Sequence, residues 1–299
     1  MVVIDLVGWP ESSVGQEMYT SVSNGHGVKE LKLRDKVVVV TGSTRGIGLA
    51  IAEACAREGA RVVVSSRHEE AVRAAVDALA GEGLQVSGRA ANVAQPEDLD
   101  QLLQHAIDRW KRVDVWINNA GLSAGLRPVD EMAPEEIQEI VDTNLTGTIL
   151  ACRLVIPYFV QQGGGVLINM SGRGGRGDPT PFTAVYGATK SAVISLTRSL
   201  AQENKSKPVS IHVVLPGMVA TDFYRDMKVS PKLTATGQSM PYVLKAVGGP
   251  VEEVARLFVT IAAQEPGKVT GKTYSVFKGG KMMRAMAQLM WYRATGKIR

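Results

Sequence analysis

Apolar residues in this chain alternate between two rhythms. Short β-branched runs, KVVVVTG from Lys36 and RVVVSSR from Arg61, are each followed by apolar residues three and four apart, in IGLAIAEACAREG and EEAVRAAVDALAG. The runs predict strands and the wider spacing predicts helices. The alternation continues through LQVSGRAA, the helix PEDLDQLLQHAIDRW with Pro96 in its first turn, and VDVWINNAG. A long helix over about 134–161, the strand GGGVLINMS, a helix carrying Tyr186, the strand PVSIHVVLPG, the helix PVEEVARLFVTIAA and the strand KTYSVF follow. Strands regularly separated by helices imply parallel crossovers and an α/β sheet covered on both faces.

Three stretches depart from this rhythm. Residues 1–33 lack periodicity and read as an extension, 34–277 as one catalytic domain, and 278–299 as a basic amphipathic segment. The last holds Lys278, Lys281, Arg284, Arg293, Lys297 and Arg299 with no acid, and Met282, Met283, Met286, Leu289, Met290 and Trp291 at roughly helical spacing. Docking on the substrate cleft or on another subunit is the expectation, and peripheral contact with an anionic membrane the alternative. The segment from about Phe223 to Gly249 reads as irregular. Its Met227, Leu233, Met240, Tyr242 and Leu244 suit a lid over a bulky apolar substrate.

With 299 residues, 45% apolar and 21% charged, the chain has the composition of a globular protein. A net charge of +5 without a dense basic run in the core gives no case for nucleic acid. Cys55, Cys152 and the four scattered histidines have no metal-ligand spacing, so buried thiols and no protein-held metal are expected. The start MVVIDLVGWPESSVG resembles neither a secretory signal nor a transit peptide, and no apolar run approaches a membrane span. The expected setting is the cytoplasm.

Candidate chemistry sits at two turns. Thr41-Gly42-Ser43-Thr44-Arg45-Gly46-Ile47-Gly48 lies where a strand passes into a helix, the setting in which glycines let backbone approach a pyrophosphate at a helix N-terminus. About 20 residues on, an acid would hold a ribose 2′-hydroxyl. Here the chain reads Ser65-Ser66-Arg67, and with Arg45 it offers two guanidiniums suited to a 2′-phosphate, so NADP(H) is expected over NAD(H). Farther on, Tyr186 and Lys190 stand four apart, which on a helix leaves only about 40° between them. A cation beside a phenol favours phenolate and equips it for proton transfer.

The ordered set TGSTRGIG, Asn118-Asn119-Ala120-Gly121, Asn144, Tyr186 with Lys190, and Pro216-Gly217 resembles the short-chain dehydrogenase/reductase family over about 34–277. The resemblance implies a single Rossmann-like doubly wound domain, seven parallel strands in the order 3-2-1-4-5-6-7, and a homodimer or homotetramer. It implies that Gly42, Gly46 and Gly48 line the pyrophosphate and that Asn118 steadies the central strand. Tyr186 would donate the proton, Lys190 bind the nicotinamide ribose, and Asn144 hold a relay water. Pro216, Val219 and Thr221 would face the nicotinamide. Where the family commonly has Asp-Val against adenine, this chain has Asn92-Val93, whose amide oxygen can still accept a hydrogen bond.

The third catalytic group departs further. The family's serine stands 13 residues before the tyrosine, a position occupied here by Arg173. Ser171-Gly172 replace the usual serine pair, which makes Ser171 the candidate, with Thr183 or a water as alternatives. VWINNAG, TNLTGTILACR, TPFTAVYGATK and PGMVATDF are similar to chlorophyll b reductases, a branch that reduces a formyl group to hydroxymethyl. An NADPH-dependent reductase of a small-molecule aldehyde or ketone is the function implied. A general ketone, steroid or 3-oxoacyl reductase stays open, as does a weakly catalytic cofactor-binding protein.

Overall fold

The structure, a computed structural model, describes residues 30–225, 227–276 and 280–298. Most of the N-terminal extension lies outside these residues, as do Lys278, Arg299 and the side chains of Lys281 and Met282. The strands are β1 (Val37–Thr41), β2 (Arg61–Ser65), β3 (Val86–Gly88), β4 (Val115–Asn118), β5 (Gly165–Met170), β6 (Val209–Leu215) and β7 (Thr273–Ser275). The helices are α1 (Gly46–Arg57), α2 (Glu69–Gly81), α3 (Pro96–Trp110), α4 (Pro134–Val141), α5 (Gly147–Gln162) and α6 (Ala184–Glu203). After β6 come α7 (Asp222–Arg225), α8 (Thr234–Val247) and α9 (Val251–Ala262), with α10 (Gly280–Ala294) last.

All seven strands pair in parallel in the order β3-β2-β1-β4-β5-β6-β7, as expected. The β1 run VVVVT is buried throughout because each face of the sheet has its own helical cover. Val38 and Val40 pack with Cys55 of α1 and Phe258 of α9, whereas Val37 and Val39 pack with Leu102 of α3 and Phe159 of α5. Strand period two thus divides one valine run between two cores. Leu33 is already fully buried, and its amide donates to Glu58 O, so the core begins one residue before the expected boundary.

The expected helix over 134–161 is α4 and α5 joined through a π-helical turn, Asp142–Thr146. The whole stretch Pro134–Gln162 is long and apolar enough to cross a membrane, contrary to the expectation from sequence. It packs instead against the sheet, α3 and α6, as a core helix does. The segment read as irregular after Phe223 also forms a helix, α8, despite Pro241 within it. Cys55 and Cys152 are buried free thiols in α1 and α5, and burial pushes each up to about 12.

Candidate active site

Strand order reverses between β1 and β4, and a cleft of about 780 Å³ lies where the chain leaves their C-terminal ends. That is the position and size expected for a small-molecule site in an open α/β sheet. Residues Gly42, Thr44, Arg45, Gly46, Ile47 and Gly48 line one end of it. Gly42 has φ +63°, and a Cβ there would stand 2.7 Å from Ala120 Cα. Gly48 has no more room, since a Cβ would strike Gly42 O and the Asn119 amide. Backbone approach is therefore what these glycines permit. α1 starts at Gly46 with no side-chain cap and no acid in its first turn, so its N-terminal amides suit a pyrophosphate. The residues present fit a dinucleotide.

The cleft brings together nearly every expected residue. Ser66, Arg67, Val93, Asn119, Ala120, Gly121, Ser171, Tyr186, Lys190, Pro216, Gly217, Val219 and Thr221 all line it. Three expected residues do not. Ser43 is buried, with Oγ donating to Val40 O (2.6 Å) and accepting from Ser65 N (2.9 Å), so it staples β1 to β2. Asn92 accepts from Ala94 N (3.2 Å) and lines a neighbouring hollow with Arg67 and Glu139, so its amide oxygen already caps its own turn.

Asn144 stands behind the cleft in the π-helical turn. Its Oδ1 accepts from Leu122 N (2.7 Å) and its Nδ2 donates to Leu122 O (3.0 Å). It clamps the segment after β4 against Lys190: a Cβ on Gly121 would lie 3.3 Å from Asn144 Oδ1 and 3.5 Å from Lys190 Nζ. Positioning is the work this geometry gives it.

Tyr186 and Lys190 both lie in the first two turns of α6, and Lys190 Nζ is 5.6 Å from the tyrosine ring centre. Lys190 donates to Met170 O at 3.1 Å and is 3% exposed. Burial lowers its pKa from 10.5 to about 8. Burial, with Tyr224 adding to it, pushes the Tyr186 phenol well above its ordinary 10. Desolvation and Tyr224 thus raise the phenol where the sequence led one to expect depression by the lysine. The Phe223 ring, tilted 58° to that of Tyr186 with 5.6 Å between centres, lines one side.

A buried polar chain fixes this helix on the sheet. Trp116 Nε1 donates to Asn118 Oδ1, Asn118 Nδ2 to Asn169 Oδ1, and Asn169 Nδ2 to Thr197 Oγ1, each at 2.9 Å. β4, β5 and α6 are therefore locked in register, which places Tyr186 over the end of β5. Asn118 steadies the central strands, while Asn169 and Thr197 went unrecognised in the sequence because each is ordinary by itself.

Ser171 does not meet the expectation for a third catalytic group. The residue is 1% exposed and its hydroxyl donates to Lys190 O at 2.8 Å, not to Tyr186. The position facing the phenol is Gly172, where a Cβ would collide with the Tyr186 hydroxyl. The phenol thus fills the space a serine side chain would need. Thr183 donates to Thr180 O (3.3 Å) and does not line the cleft. The lid expectation also changes: Met227, Leu233, Met240, Tyr242 and Leu244 do not line the cleft, whose walls come instead from Leu122, Met218, Phe223, Tyr224 and Val247. Arg173 and Arg176 stand on its rim, a feature the sequence gave no reason to expect.

Comparison with known proteins agrees with this geometry. The short chain dehydrogenase family model matches residues 36–231. The probable chloroplastic chlorophyll(ide) b reductase NYC1 of rice, Oryza sativa, is 40% identical over 62% of this chain and 40% of its own length. A second chloroplastic chlorophyll(ide) b reductase, NOL of Arabidopsis thaliana, is 37% identical over 74% of the chain and 64% of its own. The chain therefore spans less than two thirds of either. The 3-oxoacyl-acyl-carrier-protein reductase of Synechocystis is 37% identical over 84% of the chain and 98% of its own length. Among solved structures, a variant of the actinorhodin polyketide ketoreductase with NADPH superposes with a TM-score of 0.71 at 29% identity, covering 81% of this chain and 95% of that one. With the motifs, the strand order and the Tyr186–Lys190 pair in agreement, the chain belongs to the short-chain dehydrogenase/reductase family.

Proposed function

We propose that this protein is an NADPH-dependent reductase acting on the aldehyde or ketone of a bulky hydrophobic substrate, with chlorophyll b-type formyl compounds as the first class. The observation that carries the reading is Tyr186 beside the buried Lys190 in one cleft with the glycine turn and an apolar wall. NADPH, when bound, supplies a hydride to the carbonyl carbon. Gly42, Gly46 and the first amides of α1 hold its pyrophosphate, and Arg45 and Arg67 suit the 2′-phosphate. Tyr186 passes its proton to the carbonyl oxygen as charge develops there, and Lys190 holds the nicotinamide ribose and balances the phenolate left behind. Leu122, Met218, Phe223 and Tyr224 exclude water around the reacting oxygen.

The near-complete overlap with the Synechocystis enzyme supports a second reading, reduction of 3-oxoacyl thioesters. Loss of NADPH absorbance separates the two when chlorophyllide b, a 3-oxoacyl thioester, a steroid ketone and an aryl ketone are offered in turn. Formyl reduction outpacing the rest is expected. Tight NADPH binding without turnover of any carbonyl would defeat the reductase reading.

Cofactor choice has a structural complication. Arg67 Nη1 pairs with Glu139 Oε1 at 2.7 Å, so a 2′-phosphate must draw the guanidinium from a carboxylate. Arg67→Asp is expected to weaken NADPH roughly 10–100-fold relative to NADH, the value of one or two charge-assisted hydrogen bonds. Glu139→Gln is expected to tighten NADPH alone. Fluorescence titration with both cofactors checks this, and an unmoved ratio in Arg67→Asp refutes the role.

A further inference from the structure

α10 shows two unlike faces. On one, Ala285 and Tyr292 are buried, the Tyr292 ring lies 5.5 Å from that of Tyr242 in α8, and Gln288 Nε2 donates to the Tyr292 hydroxyl at 3.0 Å. On the other, Met283, Met286 and Met290 follow one another at i, i+3 and i+7 and are 75%, 59% and 70% exposed, with Trp291 beside them at 55%. α10 thus packs on α8 of its own chain rather than on the substrate cleft, and this leaves the methionine stripe bare. Arg284, Arg293 and Lys297 are exposed along the same helix and its exit, and no acid occurs from 278 to 299.

We propose that this stripe docks the protein on an anionic lipid bilayer. Methionine side chains and an indole can enter the acyl boundary while flanking guanidinium and ammonium groups meet phosphate headgroups, the arrangement of an interfacial helix. Charge favours this occupant over a second copy of the chain. Symmetric pairing across the stripe would bring two basic helices together without one carboxylate from either segment to neutralise them. Anionic lipid neutralises them outright, at about 1 kcal/mol per cation near the surface. Because α10 rests on α8, and α8 contributes Val247 to the cleft wall, the bilayer contact and the substrate mouth share one helix pair. The docking itself is independent of which carbonyl the cleft reduces.

Flotation of the intact chain with phosphatidylcholine vesicles, with and without phosphatidylserine, tests the proposal. Binding to the anionic vesicles alone, weakening as salt is raised, is expected. Met283→Ser with Met290→Ser should weaken it about 10-fold or more by removing apolar burial. Arg284→Gln with Arg293→Gln should weaken it about 30-fold, from two cations at that value each. All four side chains face solvent, so circular dichroism and NADPH binding should not change. Failure of the intact chain to float with anionic vesicles overturns the proposal, as does flotation of both variants equal to that of the unaltered chain. A fall in sedimentation coefficient on methionine replacement without lipid also overturns it, since the stripe would then be a protein interface.

Discussion

Tyr186→Phe is expected to lower the rate of carbonyl reduction by about 10²–10⁴ while leaving the fold and NADPH affinity intact. The phenol lines the cleft beside Lys190, and desolvation raises its pKa above the ordinary value. Its hydroxyl has no hydrogen-bond partner among the described residues, so removing it orphans no donor or acceptor, and the ring's contact with Phe223 survives. A loss confined to kcat, with cofactor Kd and thermal midpoint unchanged, is the signature of a proton donor. A variant that keeps activity within an order of magnitude would mean that water or another group protonates the substrate. Gly172→Ser, which restores the second serine of the usual pair, is a poor control, because a Cβ at that position collides with the phenol itself.

Lys190→Met is expected to lower activity at least about 100-fold and yet stabilise the protein at neutral pH. Burial places the folded-state pKa at about 8 against 10.5 for an exposed lysine. Above about pH 10.5 the amine is neutral in both states and carries no penalty. As pH falls from there to about 8 the unfolded chain takes up the proton first, so the wild type loses stability, and below 8 the loss is complete. The shift corresponds to roughly 3 kcal/mol. Methionine removes that penalty but leaves Met170 O without its donor, which takes back about 1 kcal/mol. A net gain of roughly 2 kcal/mol at pH 7 is expected, shrinking to nothing and reversing toward pH 10.5. Urea unfolding of both proteins across pH 7–10.5 measures it. Parallel stability curves would show that Lys190 is not the buried charge the geometry implies. Rates should fall on the order of 100-fold or more, because the ribose anchor and the counter-charge to phenolate both disappear.

Much of the site could be read before any coordinates, and the parts that could not share a cause. TGSTRGIG announces a close backbone approach because glycine's permissiveness is a property of the residue itself, and Gly42 does press against Ala120. The Tyr186–Lys190 pair is equally local, fixed by helical pitch. Ser171 misled because sequence offset says which residue follows β5 but not which way its hydroxyl turns, and it turns to Lys190 O. Glu139 could not be foreseen as a partner for Arg67 across 72 residues, nor the Asn144 clamp on Leu122 across 22. α8 was hidden by Gly237, Ser239 and Pro241, poor helix formers whose preference is overridden by packing against α10.

The sequence alone determined the parallel α/β sheet, the glycine turn and the Tyr186–Lys190 pair, because each is written in spacing along a few residues of one element. The tertiary structure alone decided that desolvation raises the phenol, that Ser171 bonds Lys190 O and that Arg67 meets an acid. It also decided that the methionines of α10 face outward. Each of these depends on what distant segments bury or leave bare, and desolvation and long-range pairing have no trace in local periodicity.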